Sequence, residues 1–86
     1  MPKSIHREEH QILIRLLREA RRDAGLRQSE MAERLGQPQS FVSKYESGER
    51  RLDIIELRNI CHAIGLTLPS VVAMLEAELN TIENRP

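Results

Sequence analysis

"QSEMAERLGQPQSFVSKYESG", residues Gln28–Gly48, reads as two short helices separated by a sharp break. Met31, Ala32 and Leu35 recur at helical spacing before Gly36, so the first helix is placed at Gln28–Leu35. Gly36-Gln37-Pro38 stops it: glycine takes the left-handed conformation a tight turn needs, and proline fixes its own φ. From about residue 38 to 46 the apolar bulk gathers on one side as Val42 and Tyr45, with Glu46 partly among them. The opposite side carries Gln39, Ser40, Ser43, Lys44 and Ser47, all polar and mostly small, while Phe41 sits on the flank, where edge-of-core packing is expected ahead of an outward apolar contact. A helix this short is barely stable by itself. Other elements must hold it from below, and its stripped outer face must serve a partner.

The rest of the chain supplies those elements. Gly25, Gly36, Gly48 and Gly65 each follow an apolar-periodic segment, as C-cap glycines do, and divide the sequence into five helical pieces. The first runs from Ser4, a suitable N-cap, to Ala24, with Leu13, Leu16, Leu17, Ala20 and Ala24 on one face. The fourth starts at Asp53, with Glu56 three residues on in a capping-box pattern, and turns Leu57, Ile60, Cys61 and Ile64 inward. The fifth spans about residues 69–82, with Pro69 in its first turn and an apolar stripe of Leu68, Val71, Val72, Leu75, Leu79 and Ile82. Leu68 and Val72 are placed at the edge of the core. No alternating strand pattern occurs. The reading is an all-α single domain, residues 1–86.

Composition narrows the function classes. Thirteen basic and thirteen acidic residues cancel, so net charge names no partner. Their distribution is uneven: residues 1–60 hold 12 Lys/Arg against 10 Asp/Glu, and the remainder holds Arg85 against Glu76, Glu78 and Glu83. A weakly basic body with an acidic tail permits nucleic-acid binding. Phe41 and Tyr45 are the only aromatics, too few for a single-strand stacking surface. Cys61 is the single cysteine, so no internal disulfide forms, and it reads as a buried core thiol. Neither a signal-peptide core nor an 18-residue apolar run is present, which gives the expectation of a cytoplasmic protein without membrane association.

Enzymatic signals are weak. "HREEH", His6 to His10, matches the H-x-x-E-H pattern of inverted zinc peptidases, but a catalytic zinc needs a third ligand and a pocket. It is read as a solvated helix start. No nucleophile elbow, triad or Gly-rich phosphate loop is found. The expectation is no enzyme, no cofactor and no metal.

Counted from Gln28, alanine at the fifth place (Ala32), glycine at the ninth (Gly36) and an aliphatic at the fifteenth (Val42) form the helix-turn-helix pattern. Ala32 lets two helix axes approach closely, and Val42 packs into the corner. "LRQSEMAERLGQPQSFVSKYESGERRLDIIEL", with "LREARRDAGL" before the motif and "AIGLTL" after it, resembles the Cro/lambda-repressor-type helix-turn-helix family, also called the xenobiotic-response-element (XRE) family. The resemblance extends over roughly residues 12–68. It implies a five-helix bundle whose second motif helix, ending near residue 47, enters the DNA major groove. The implied base readers are Gln39, Ser40, Ser43 and Lys44: glutamine suits adenine N6 and N7, lysine guanine O6 and N7, and serine either without blocking approach. The implied phosphate contacts are Gln28, at a helix N-terminus, with Ser47, Arg50 and Arg51 flanking the reading helix. Arg21 and Glu46 stand where the family forms an ion pair beneath the DNA-facing surface. Arg27 replaces a usual capping residue and adds a cation beside Gln28.

The apolar stripe of the last segment is long for so small a body. Val71, Met74, Leu75, Leu79 and Ile82 are therefore expected to form a homodimer contact. The leading reading is a sequence-specific regulator that binds an inverted repeat in double-stranded DNA as a homodimer, with no ligand-sensing domain. Phage-type repressors, restriction–modification controllers and antitoxins share this outline. The alternative is an antitoxin-like interaction module whose main partner is a protein such as a toxin.

Overall fold

The computed structural model describes the backbone of residues 2–84 and the side chains of residues 8–84. Five helices follow in order: α1 (Pro2–Asp23), α2 (Gln28–Leu35), α3 (Gln39–Ser47), α4 (Ile54–Ala63) and α5 (Leu68–Glu83). Among the described residues there is no strand, and no single helix is long and apolar enough to cross a membrane.

α2 and α3 form the expected corner. Met31, Ala32 and Val42 are fully enclosed, so the two axes meet over a side chain no larger than a methyl group. Gly36 takes φ 64°, and the N–H groups of Gly36 and Gln37 close back onto Glu33 O and Ala32 O at 3.1 and 3.0 Å. α3 starts at Gln39, one residue later than the apolar spacing suggests, because Pro38 acts as its N-cap with an extended ψ of 154°. At the far end of α3, Gly48 takes φ 86° beneath α1. A Cβ there would lie 3.3 Å from Ile14 Cδ1, so glycine also serves close approach.

Tyr45, Leu17, Met31, Ile60, Val42, Val71 and Cys61 are the largest side chains fully removed from water. Each such aliphatic or aromatic group contributes roughly 1.5–3 kcal/mol. α4 turns Leu57, Ile60, Cys61 and Ile64 inward, as its spacing requires. It is opened by a reciprocal cap: Glu56 N–H donates to Asp53 Oδ1 at 2.7 Å, and Asp53 N–H to Glu56 Oε1 at 3.0 Å. Arg34 Nη1 donates to Ala63 O at 2.8 Å at its other end. α5 is capped by Thr67, whose hydroxyl accepts from Ser70 N–H.

Four expectations for the outer helices change. α1 begins at Pro2, ahead of Ser4, whose side chain lies outside the described residues. Its buried face is Ile14, Leu17 and Arg21, with Leu13 and Ala20 packed beside it, whereas Ala24 lies past the last turn and is exposed. On α5, Val71 is only 2 % exposed and belongs to the core, so it is not available to a second copy. Val72, placed at the core edge by sequence, is exposed instead. Beyond Val71, α5 lies along α1, where Arg15 donates to Glu78 Oε1 at 2.6 Å and to Glu19 Oε1 at 3.3 Å.

Candidate nucleic-acid interface

α3 presents the stripped face directly to solvent. Gln39, Ser40 and Lys44 are exposed, and Ser43 is half-buried beside them. The serine hydroxyls fold back onto their own helix: Ser43 Oγ donates to Ser40 O at 3.3 Å, and Ser47 Oγ to Lys44 O at 3.0 Å. The surface is therefore low, and backbone can approach a groove floor with only Gln39 and Lys44 reaching far ahead of it. Ser47, expected to meet phosphate, is exposed and organises the turn after α3, where its Oγ also accepts from Glu49 N–H at 3.4 Å. Its one hydroxyl proton is already committed.

The underside of α3 is locked by charge. Arg21 Nε donates to Glu46 Oε2 at 2.7 Å and Arg21 Nη2 to Glu46 Oε1 at 2.9 Å, with the two side chains 8 % and 2 % exposed. Arg21 Nη1 also donates to Leu26 O at 2.6 Å, and Gln28 Nε2 to Glu46 Oε1 at 3.0 Å. Glu46 is thus wholly buried rather than partly inward. Burying two charges is costly, and hydrogen bonding at nearly every available site is what makes it tolerable. The same four bonds tie α1, the start of α2 and the end of α3 into one unit. Tyr45 lies beside this pair, and burial pushes its hydroxyl well above the ordinary tyrosine range.

Gln28 opens α2, ahead of the first intrahelical bond, which Met31 N–H donates to Arg27 O at 2.9 Å. Its side chain is half-buried on Glu46, so the surface near this helix end offers backbone N–H and one remaining amide proton to an anion. Arg27 has no acceptor with which to cap α2. Half of a capping box survives, with Arg27 N–H donating to Glu30 Oε1 at 2.8 Å, and the exposed guanidinium stands beside Gln28.

The loop cations part company. Arg51 is exposed, and its charge reaches His10 on α1. Arg50 is engaged within the chain. Nη1 and Nη2 donate to Glu56 Oε1 and Oε2 at 3.1 and 2.8 Å, Nη1 donates also to Arg51 O at 3.0 Å, and the guanidinium lies 4.7 Å from the Phe41 ring centre. Arg50 and the cap together hold the Glu56 carboxyl below the usual carboxylate range. The pair is therefore intact at neutral pH and is lost only as acid passes that lowered pKa. Sequence reading missed this second role of Glu56. Its signal was present: a carboxylate anchored as a cap, six residues after an arginine in a short loop.

His10 Nε2 is buried without a hydrogen-bond partner among the described residues, and burial first, then Arg51, lowers its pKa. The His6 side chain lies outside the described residues. Among the described ones no three His, Cys, Asp or Glu side chains gather as a metal site. Cys61 is buried, and burial raises its thiol pKa, away from nucleophilic use.

Comparison with known proteins decides the family. Residues 17–71 match the family model described as Helix-turn-helix. The structure aligns with that of an XRE-family like protein from Pseudomonas syringae pv. tomato str. DC3000 at 51 % identity and a TM-score of 0.84, covering 90 % of this chain and 94 % of that one. The chain belongs to the XRE family of helix-turn-helix proteins. A second solved structure, the clp gene regulator ClgR from C. glutamicum, aligns at 26 % identity and a TM-score of 0.72, over 80 % of this chain and 88 % of that one. No curated protein matches the sequence. As an XRE-family helix-turn-helix protein the chain is a DNA-binding transcriptional regulator.

Proposed function

We propose that this regulator reads a specific sequence in double-stranded DNA through α3 and does so as a homodimer on an inverted repeat. The observation that carries the reading is the low polar face of α3, held rigidly from below by the buried Arg21–Glu46 pair. Gln39 and Lys44 are the base-edge readers, and Ser40 and Ser43 fit between them. Gln28, Arg27 and Arg51 meet phosphate on either side. ClgR, named as a gene regulator, shares this fold, which supports a regulatory role.

The dimer contact is assigned to α5. Met74 is 40 % exposed and borders a shallow groove with Leu16, Ala20, Ile64 and Leu66. Leu75, Leu79 and Ile82 are half-buried along the same helix. With Val71 withdrawn into the core, the exposed Met74 becomes the centre of the proposed contact.

Alanine substitutions separate the roles. Gln39→Ala and Lys44→Ala should each relax preference at one operator position, at a cost of about 1–3 kcal/mol for the preferred base. Arg51→Ala should weaken binding to every sequence alike and flatten its salt dependence. Binding titrations against single-base operator variants would reject the assignment if Gln39→Ala and Lys44→Ala lost operator and unrelated DNA equally.

A further inference from the structure

We propose that Arg50 is a positioning residue for the reading helix: gripping Glu56 and lying on Phe41, it sets the flank of α3 against the start of α4, and its charge is not delivered to phosphate. The proposal rests on the DNA-reading role of α3 given above.

The clamp is built on a fixed point. The Glu56 carboxylate cannot swing away, because its Oε1 also accepts Asp53 N–H at 3.0 Å in the cap of α4. Arg50 meets it with two parallel bonds, the geometry in which an exposed ion pair has a defined orientation. From there the guanidinium lies over the Phe41 ring, 4.7 Å from its centre. Phe41 in turn meets Tyr45 edge-on, with centroids 5.5 Å apart and planes at 70°. Tyr45 is 2 % exposed, so the chain of contacts ends in the core.

α3 is thereby held on two sides. Arg21 fixes its C-terminal end through Glu46, and Arg50 fixes its first half through Phe41. Gln39 and Ser40 adjoin Phe41 in that first turn, so a looser Phe41 misaims those two readers most. An arginine held this way has one positive charge set against one negative charge. It adds nothing net to the attraction for DNA, while its neighbour Arg51 supplies the loop's outward cation.

Three variants test this: Arg50→Gln, Arg51→Gln, and Glu56→Gln, whose amide oxygen still accepts the Asp53 N–H and so keeps the cap. Affinity is measured over a salt series for the duplex that the wild type selects and for an unrelated duplex of equal length. Circular dichroism records the folded fraction. Arg50→Gln and Glu56→Gln should each lower affinity for the selected duplex about tenfold, on the scale of one weakened base contact. In the double variant, which leaves the net charge unchanged, binding to the unrelated duplex should stay within about twofold and the salt slope should not change. The double variant should be no worse than either single one, as for partners in one interaction. Arg51→Gln should weaken both duplexes and make the slope shallower by about 0.9.

A salt slope that falls for Arg50→Gln as for Arg51→Gln would make Arg50 a phosphate contact and overturn the proposal. So would tighter selective binding by Glu56→Gln, or equal loss on both duplexes matched by a lower folded fraction. A wild type that prefers no duplex would reject the reading role itself. A selective wild type whose selectivity survives Arg50→Gln would reject the clamp alone.

Discussion

Glu46→Ala is expected to destabilise the fold by about 3–5 kcal/mol, because it leaves the Arg21 guanidinium buried without its counter-charge. Arg21→Met should cost a similar amount from the other side of the pair. A small domain has only about 5–15 kcal/mol in hand, so either variant stands near the edge of folding. The arithmetic differs when both charges go. Arg21→Met with Glu46→Leu removes the desolvation cost together with the attraction, and most of the lost stability should return. Gln28 then loses its acceptor, but it is half-buried and can turn to water. The double variant should therefore fold well and yet bind DNA more weakly, since the hydrogen bond that ties the start of α2 to the end of α3 is gone. Urea unfolding of the wild type, Arg21→Met, Glu46→Leu and the double variant gives the coupling directly. Single losses below about 1 kcal/mol would mean that water reaches the pair and that α3 is fixed by packing alone.

The second large effect concerns assembly. One reading helix touches too few base pairs to select a site among the many competitors in a genome, so two half-sites are needed. A two-fold dimer supplies them only if its reading helices reach successive major grooves, about 34 Å apart. Met74→Glu is expected to abolish the dimer while leaving the protomer intact, because Met74 is exposed and its replacement adds no strain to the core. Leu79→Glu should act in the same direction. Operator affinity should fall on the order of 10³-fold, toward the non-specific level. Sedimentation is the check. An unchanged dimer in both variants would move the contact elsewhere, and the exposed Ile54 and Ile55 on the first turn of α4 would be the next surface to substitute.

The parts of the fold that were legible from sequence are those governed by local chemistry. Gly36 and Gly48 mark helix ends because a positive φ admits little else, and both take it. Met31, Ala32 and Val42 are legible because helical spacing and small size together dictate a close crossing. The face of α1 was misread for a physical reason. Its buried stripe contains Arg21, and a search for apolar periodicity passes over a charged residue that only a partner 25 positions away can neutralise. Val71 and Val72 exchanged places because the entry angle of α5 is set by packing against α1 and α4, which spacing within one helix does not encode. Arg50 shows the same limit at the candidate site. Residue type and loop position announced a cation, but not its partner within the chain, Glu56, which the cap of α4 fixes. Ser47 differs again: its hydroxyl found an acceptor one turn back on its own helix.

The most direct measurement is selection of random double-stranded DNA by the purified protein, run side by side for the wild type, Gln39→Ala and Lys44→Ala. The wild type should enrich one inverted repeat with half-site centres about 34 Å apart, one turn of the duplex. Each variant should enrich the same repeat with its preference lost at one symmetric pair of positions, a different pair for each. Enrichment of no sequence by the wild type, or of an identical sequence by all three proteins, would contradict the assignment of α3 as the reading helix.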